Sequence, residues 1–165
     1  QLIALRRQKM GMVFQSFGLL PNRSVLDNVA FPLEMRGQDR ATRHARAREM
    51  LDLVSLQGRE DYFPRELSGG QQQRVAVARA FAAKPKVLFA DEPTGNLDLH
   101  TGGEIIKLFR KLSSDTGVTV ICATHDHKML AASDRIVWIA DGKIDKIQNV
   151  ADMDIKTGSI SGKKH

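Results

Sequence analysis

The sequence has little cysteine and no long apolar run, and each shortage excludes a class of protein. Cys122 is the single cysteine among 165 residues, so an internal disulfide framework is excluded and a reducing compartment fits. No apolar run approaches the ~18–20 residues that span a bilayer, and no secretory signal opens the chain. Any membrane association is therefore expected to go through a partner. Because Cys122 lies in the apolar run 118–123, we expect it to be a small buried core residue.

Length and charge indicate one ordinary globular domain. A chain of 165 residues suffices for one domain with a core, and its formal net charge is +6. The densest basic group is Arg36, Arg40, Arg43, Arg46 and Arg48. Its spacing of three to four residues favours the solvent face of a helix over a nucleic-acid surface, and we expect no nucleic-acid partner.

A glycine-containing turn at residues 67–71, with the letters LSGGQ, precedes a run that favours helix from Gln71 to Ala83. Ser68 is a good N-cap, and the backbone N–H groups of a helix N-terminus face anions well. Gly69 and Gly70 let a phosphate approach the backbone closely. The turn therefore predicts a phosphate-facing helix start.

Two adjacent carboxylates, Asp91 and Glu92, end a short apolar run that begins at Val87. The run is too short for a helix and predicts a buried parallel strand. In open α/β sheets, ligands bind at the carboxyl edge of such strands. We therefore expect both carboxylates at a ligand-binding edge.

The remaining pattern alternates strands and helices. Strands are expected at 10–14, 118–123 (buried), 136–140 and 143–147, with Asp141-Gly142 as a hairpin turn. Helices are expected at 24–34, where Pro32 should disturb the end, at 39–56 and at 99–114. The inward stripe of the second helix should be Ala47, Met50, Leu51 and Val54. An exposed apolar loop is expected at 16–21, and a largely disordered or peripheral polar tail at 148–165.

LSGGQ, followed by the apolar run, the letters DEPT and then GNLD at 95–98, resembles the ATP-binding subunit of an ABC transporter. The wording is closest to the lipoprotein-release and macrolide-export subgroup, whereas residues 14–34 are also similar to amino-acid and osmolyte importers. The resemblance implies an α/β fold: an incomplete P-loop NTPase-like ABC ATPase domain over 1–147, with a mostly parallel sheet flanked by helices. A helical signature subdomain would cover about 24–80, and 148–165 would be the polar C-terminal tail.

The resemblance also implies residue roles. Asp91 would hold Mg²⁺, Glu92 would be the general base, and Gln15 would contact both the magnesium and the attacking water. His125 would contact the γ-phosphate of ATP or hold the geometry of Glu92.

A second set of residues would act across a subunit interface. Ser68, Gly69, Gly70 and Gln71 would close over ATP bound to the opposite subunit, and Asp98 would lie in the loop that crosses the interface. The implied cofactors are ATP and Mg²⁺. The implied partners are a second ATP-binding subunit and transmembrane permease subunits, which the 16–21 loop would face, on the cytoplasmic face of the inner membrane.

The family's P-loop has no counterpart before Gln15. The one similar string, at 158–164, has the wrong glycine spacing and lacks a hydroxyl residue after its lysine. We therefore expect the chain alone to bind ATP poorly and to hydrolyse little. Two alternatives stay open: a soluble ABC-type ATPase of DNA repair or translation, and a non-catalytic pseudo-subunit that donates its signature motif.

Overall fold

The computed structural model describes residue 6, residues 8–156 and residues 159–162. It forms two compact units, Gln1–Ala123 and Thr124–His165. The first unit contains a three-stranded sheet of β1 (Met10–Val13), β2 (Val87–Asp91) and β3 (Thr119–Ala123), in that spatial order. Both pairings are parallel, with Val13 opposite Ala90 and Asp91 opposite Ala123. The predicted parallel sheet is confirmed.

The expectation that β3 is buried is wrong. Ile121 is 49% exposed, and Cys122 is half-buried. Within the described residues β3 pairs only with β2, so it is an edge strand. By contrast, Leu88 and Ala90 of the central strand β2 are buried.

Three helices of the first unit build most of the core: α1 (Val25–Glu34), α2 (Arg40–Leu53) and α3 (Gly69–Ala82). Ser24 caps α1 as expected, because its side chain accepts a hydrogen bond from the N–H of Asp27. Pro32 does not end this helix, which continues to Glu34. The buried face of α1, which includes Leu33, favours the helix more than the one lost hydrogen bond disfavours it.

The inward stripe of α2 is confirmed, since Ala47, Met50, Leu51 and Val54 are all buried. The arginines are less uniform than expected. Arg40 and Arg48 are exposed, whereas Arg36 and Arg46 donate hydrogen bonds to the carbonyls of Ala83 and Ala82. These carbonyls lie at the C-terminus of α3, where cations are favourable. Part of the basic group therefore stabilises the fold.

The helix α4 (Leu99–Thr116) follows β2 and ends at Gly117, whose φ of 69° is left-handed. Its buried face contains Ile105, Ile106, Leu108, Phe109 and Leu112. The helices in the described part of the chain all fall short of the length and hydrophobicity of a membrane-spanning segment.

The second unit contains α5 (His127–Ala131) and an antiparallel pair, β4 (Arg135–Ala140) and β5 (Lys143–Asn149). Asp141 and Gly142 join the pair with φ of 50° and 74°, as the hairpin prediction required. A second antiparallel pair follows, β6 (Met153–Lys156) and β7 (Ser159–Gly162). The polar tail at 148–165, expected to be largely disordered or peripheral, thus contains two short strands among its described residues.

Candidate functional site

Sheet geometry brings two of the predicted site segments to one edge. Asp91 is the last residue of β2 and is exposed, and Gln15 comes two residues after the end of β1. Because β1 and β2 are parallel neighbours, both segments emerge at the same carboxyl edge.

The loop at 95–98 lies against Gln15. Nε2 of Gln15 donates a hydrogen bond to Oδ1 of Asn96 at 3.4 Å. In return, Nδ2 of Asn96 donates to the main-chain carbonyl of Gln15 at 3.0 Å. A Cβ on Gly95 would lie 2.7 Å from Nε2 of Gln15. Gly95 therefore leaves room for the Gln15 side chain, and Asn96 fixes the main chain of Gln15. Asn96 was not singled out from the sequence, because its partner is 81 residues away.

Glu92 adopts a backbone conformation that L-residues rarely take. Its φ is 41°, its N–H donates to the carbonyl of Ala123 at 2.9 Å, and its carbonyl accepts from the N–H of Gly95 at 3.0 Å. A non-glycine residue in the left-handed region costs of order 1 kcal/mol or more and is common at functional sites. The chain thus turns sharply at Glu92, directly after β2.

The LSGGQ segment forms a capping box at the start of α3. Ser68 Oγ accepts from the N–H of Gln71 at 3.3 Å, and Gln71 Oε1 accepts from the N–H of Ser68 at 3.0 Å. Both side chains that were expected to face phosphate thus also hold the helix start. The first-turn N–H groups of Gly69 and Gly70 have no intrahelical acceptor, as at any helix N-terminus.

Gly70 also has a packing requirement. A Cβ at this position would collide with Cγ2 of Thr101 on α4. By contrast, a Cβ on Gly69 would make ordinary contacts with Phe17 and Leu97, at 3.6 and 3.7 Å. Close approach of two helices is therefore a sufficient reason for glycine at one of the two positions.

Asp98 caps α4. Its Oδ1 accepts from the N–H groups of His100 and Thr101, each at 3.0 Å. The hydrogen bond from the Thr101 hydroxyl, followed by these backbone N–H groups, lowers the pKa of the Asp98 carboxyl. The residue predicted to cross a subunit interface is thus a helix cap within the chain.

His125 lies in the second unit, just before α5, and is exposed. In the same segment, Asp126 donates its N–H to Thr124 Oγ1 at 3.0 Å and caps α5. The functional assignment of His125 stays a prediction. Of the string at 158–164, Gly158, Lys163 and Lys164 lie outside the described residues.

Two buried polar residues of α3 were missed by sequence reasoning. Gln73 is 0% exposed, and its Nε2 donates to the carbonyl of Pro93 at 2.6 Å. Arg79 is 9% exposed and donates to the carbonyls of Gly18 and Phe17, at 2.6 and 3.0 Å. Their signal was a polar residue inside an alanine- and valine-rich helix.

The donor set at the sheet edge fits Mg²⁺. Carboxylate and amide oxygens, such as those of Asp91 and Gln15, are ligands this ion prefers. Among the described residues no group of three or more His, Cys, Asp or Glu forms a candidate metal cluster. Mg²⁺ usually binds one or two carboxylates together with substrate phosphates.

Comparison with known proteins agrees with this arrangement. The family described as ABC transporter matches residues 1–95. The chain is 58% identical over 146 residues to a trimethylamine N-oxide transport system ATP-binding protein, TmoW, of Ruegeria pomeroyi, covering 88% of this chain and 43% of that protein. It is 45% identical over 141 residues to the lipoprotein-releasing system ATP-binding protein LolD of Bordetella pertussis, covering 86% and 61%.

A solved structure of the ATP-binding cassette MJ0796, dimeric and bound to ADP and Pi, matches with a TM-score of 0.78 and 39% identity. The match covers 90% of this chain and 66% of the MJ0796 chain. Against the two TmoW proteins, this chain spans roughly half of their length, 43% and 45%. The predicted α/β fold of an ABC ATPase domain is confirmed. The chain belongs to the ABC transporter family, as an ATP-binding subunit, because the family match, the sequence identities and the shared fold all agree.

Proposed function

We propose that this chain supplies the metal carboxylate and the water-activating base of an ATP-hydrolysing subunit that drives transport across a membrane. The observation that carries the proposal is the convergence of Gln15, Asp91 and Glu92 at one sheet edge, with Asn96 and Gly95 fitted around Gln15. The exposed Asp91 carboxylate would bind Mg²⁺ directly or through water. When bound, Mg²⁺ neutralises charge that develops on the transferred phosphoryl group.

Glu92 would accept the proton of the attacking water. Its left-handed turn supports this function, because strain of this kind persists where the surrounding structure holds a side chain in a required direction. Gln15 would orient the same water through its side-chain amide. For His125, the function implied by the resemblance stays a prediction.

The start of α3 would bind phosphate on a second subunit. Ser68 is exposed, and the free first-turn N–H groups of Gly69 and Gly70 suit an anion. The dimeric form of the similar MJ0796 cassette supports a pair of ATP-binding subunits here. Asp98, at the start of α4, would lie at the interface between them.

The chain alone would bind ATP weakly. No string of the form GxxxxGK[ST] occurs in its 165 residues, so the backbone cradle and lysine that hold the β- and γ-phosphates are not among them. Asp91 and Glu92 would then belong to a site that needs further residues to hold its nucleotide.

The test is ATP hydrolysis by the polypeptide encoded where the reading frame continues upstream of Gln1, with and without Glu92→Gln. We expect E92Q to lower turnover by at least about a hundredfold while MgATP affinity stays within about threefold. Asp91→Asn should instead weaken Mg²⁺ binding and raise the Mg²⁺ concentration needed for half-maximal turnover. Unchanged turnover in E92Q would contradict the assignment of the base. An upstream frame that encodes no P-loop, with no hydrolysis, would favour the pseudo-subunit.

Membrane permease subunits are the proposed partners, at the cytoplasmic face of the inner membrane. Transport names of the relatives, such as the lipoprotein-releasing system of LolD, support this choice over a soluble ATPase of DNA repair or translation. The half-buried Leu19 lies in the loop expected to face the permease. We expect Leu19→Arg to abolish co-purification with a membrane protein. The control Leu53→Arg, at a 43% exposed position of α2, should not. Capture of DNA or ribosomes instead would overturn the transporter assignment.

A further inference from the structure

We infer that Arg79 is a positioning residue for Gln15: its guanidinium clamps the turn that follows Gln15 onto the signature helix α3. The inference rests on the proposed function only in the task assigned to Gln15. The clamp itself is a property of the fold.

The turn that Arg79 holds is unusual. Phe17 and Gly18 both have left-handed backbones, with φ of 64° and 58°. The turn has two internal hydrogen bonds, from the N–H of Phe17 to the carbonyl of Phe14 at 3.2 Å and from the N–H of Gly18 to that of Ser16 at 2.7 Å. A phenylalanine in this region is strained, so the turn needs support from outside.

Arg79 provides that support from a buried position. Nη1 donates to the Gly18 carbonyl at 2.6 Å, and Nη2 donates to the Phe17 carbonyl at 3.0 Å. Burial lowers the pKa of the Arg79 guanidinium, which stays charged all the same. No ion pair of Arg79 with a carboxylate occurs among the described residues. Two carbonyl dipoles therefore compensate the buried charge, and their loss would leave it uncompensated.

The turn contacts α3 at a second point. A Cβ on Gly69 would lie 3.6 Å from Cζ of Phe17, so the ring of Phe17 reaches the first turn of the signature helix. Arg79 lies ten positions further along the same helix. The segment that carries Gln15 is thus held to α3 at the helix start through Phe17 and further along through Arg79. Any shift of α3 relative to the sheet would move this turn with it.

The loss of the clamp should open the turn without unfolding α3. We expect Arg79→Met to raise the amide exchange rates of Phe17 and Gly18 by about tenfold or more, as for the loss of one or two hydrogen bonds to a charged donor. Arg79→Lys should give an intermediate rate, because one ammonium group does not keep the fork that reaches both carbonyls.

A matched control comes from the same helix. Arg74 also donates to a carbonyl, that of Val54 at 3.2 Å, and pairs with Glu104 at 2.9 Å. Arg74→Met should leave exchange at Phe17 and Gly18 within about twofold. Equal exchange at both amides in R79M and the unsubstituted chain, with α3 still protected, would overturn the clamp. So would an equal increase in R74M.

A variant on the loop side keeps the test valid if R79M does not fold. A Cβ on Gly18 would lie 3.0 Å from Cδ2 of Phe14 and 3.6 Å from Nη2 of Arg79, at a left-handed φ. We expect Gly18→Ala to accelerate exchange of the Arg79 guanidinium protons, followed by NMR, while the amides of α3 stay protected. Unchanged guanidinium exchange would overturn the inference. These measurements need no nucleotide, so their failure is distinguishable from a failure of the proposed ATPase function, which turnover tests.

Discussion

The effect of Gly70→Ala on stability should depend on the residue at position 101, and we predict that it changes sign when Thr101 is replaced. In α3 an alanine is normally more stable than a glycine, by up to about 1 kcal/mol. Here the added Cβ would collide with Cγ2 of Thr101, whereas Cβ and Oγ1 of Thr101 would stay at ordinary distances of 3.8 and 3.9 Å. Such overpacking costs about 1–3 kcal/mol. We therefore expect Gly70→Ala to lower the free energy of unfolding by about 1–2 kcal/mol.

Thr101→Ser removes the colliding methyl and keeps the hydroxyl that bonds to Asp98. In the T101S background the collision is gone, so G70A should become neutral or stabilising by up to about 1 kcal/mol. The coupling free energy of the double-mutant cycle should be about 1–3 kcal/mol. Gly103 of α4 is the control, because a Cβ there meets nothing within 4 Å. Gly103→Ala should stabilise both backgrounds equally.

The assay is urea unfolding followed by far-UV circular dichroism for the four members of the cycle and for the two G103A variants. A coupling near zero would refute the packing explanation for Gly70. Glycine at that position would then need another explanation, such as the proposed binding of phosphate at this helix start.

Three further predictions concern single positions. Glu92→Gly should be more stable than Glu92→Ala by about 1 kcal/mol in urea unfolding, because φ of Glu92 is left-handed. At Arg48, an exposed helix position, the alanine variant should instead be more stable than the glycine variant. Asp98→Ala should lower the melting temperature by a few degrees at pH 7, and Asp98→Asn by less, since asparagine also caps helices. Because folding lowers the pKa of Asp98, aspartate should stabilise the fold more than asparagine above the unfolded pKa of about 3.9. This difference in stability should be lost as the pH falls through the folded pKa, and a difference that grows in acid would contradict the prediction. Gly142→Ala should destabilise the β4–β5 hairpin by about 1 kcal/mol, seen as faster amide exchange in β5, with no such change in G103A.

Local signals in the sequence predicted most of the elements. The apolar run before Asp91, the Ser68 cap and the Asp141-Gly142 turn each depend on neighbouring residues, and each prediction is confirmed. The exposure of β3 was mispredicted, because burial of a strand depends on which strands pair beside it. An apolar run in the sequence does not show how many neighbouring strands will pair with it.

The contacts that hold the site segments together were beyond sequence reasoning. Arg79 and Phe17 are 62 residues apart, and Asn96 and Gln15 are 81 apart. Nothing in the local pattern pairs them, since each bond joins a side chain to a main-chain carbonyl. The site residues themselves were suggested by the family resemblance, and their assigned functions stay predictions.

The most direct test of a divided ATP site is steady-state hydrolysis of MgATP by the purified 165-residue chain, compared with its E92Q variant. The carboxylates are in the chain and the GxxxxGK[ST] cradle is not, so we expect the two to show the same background rate. Calorimetric titration should detect only weak MgATP binding to either. Turnover by the chain at rates typical of the family, abolished in E92Q, would contradict the divided site and would show that these residues hold nucleotide without that cradle.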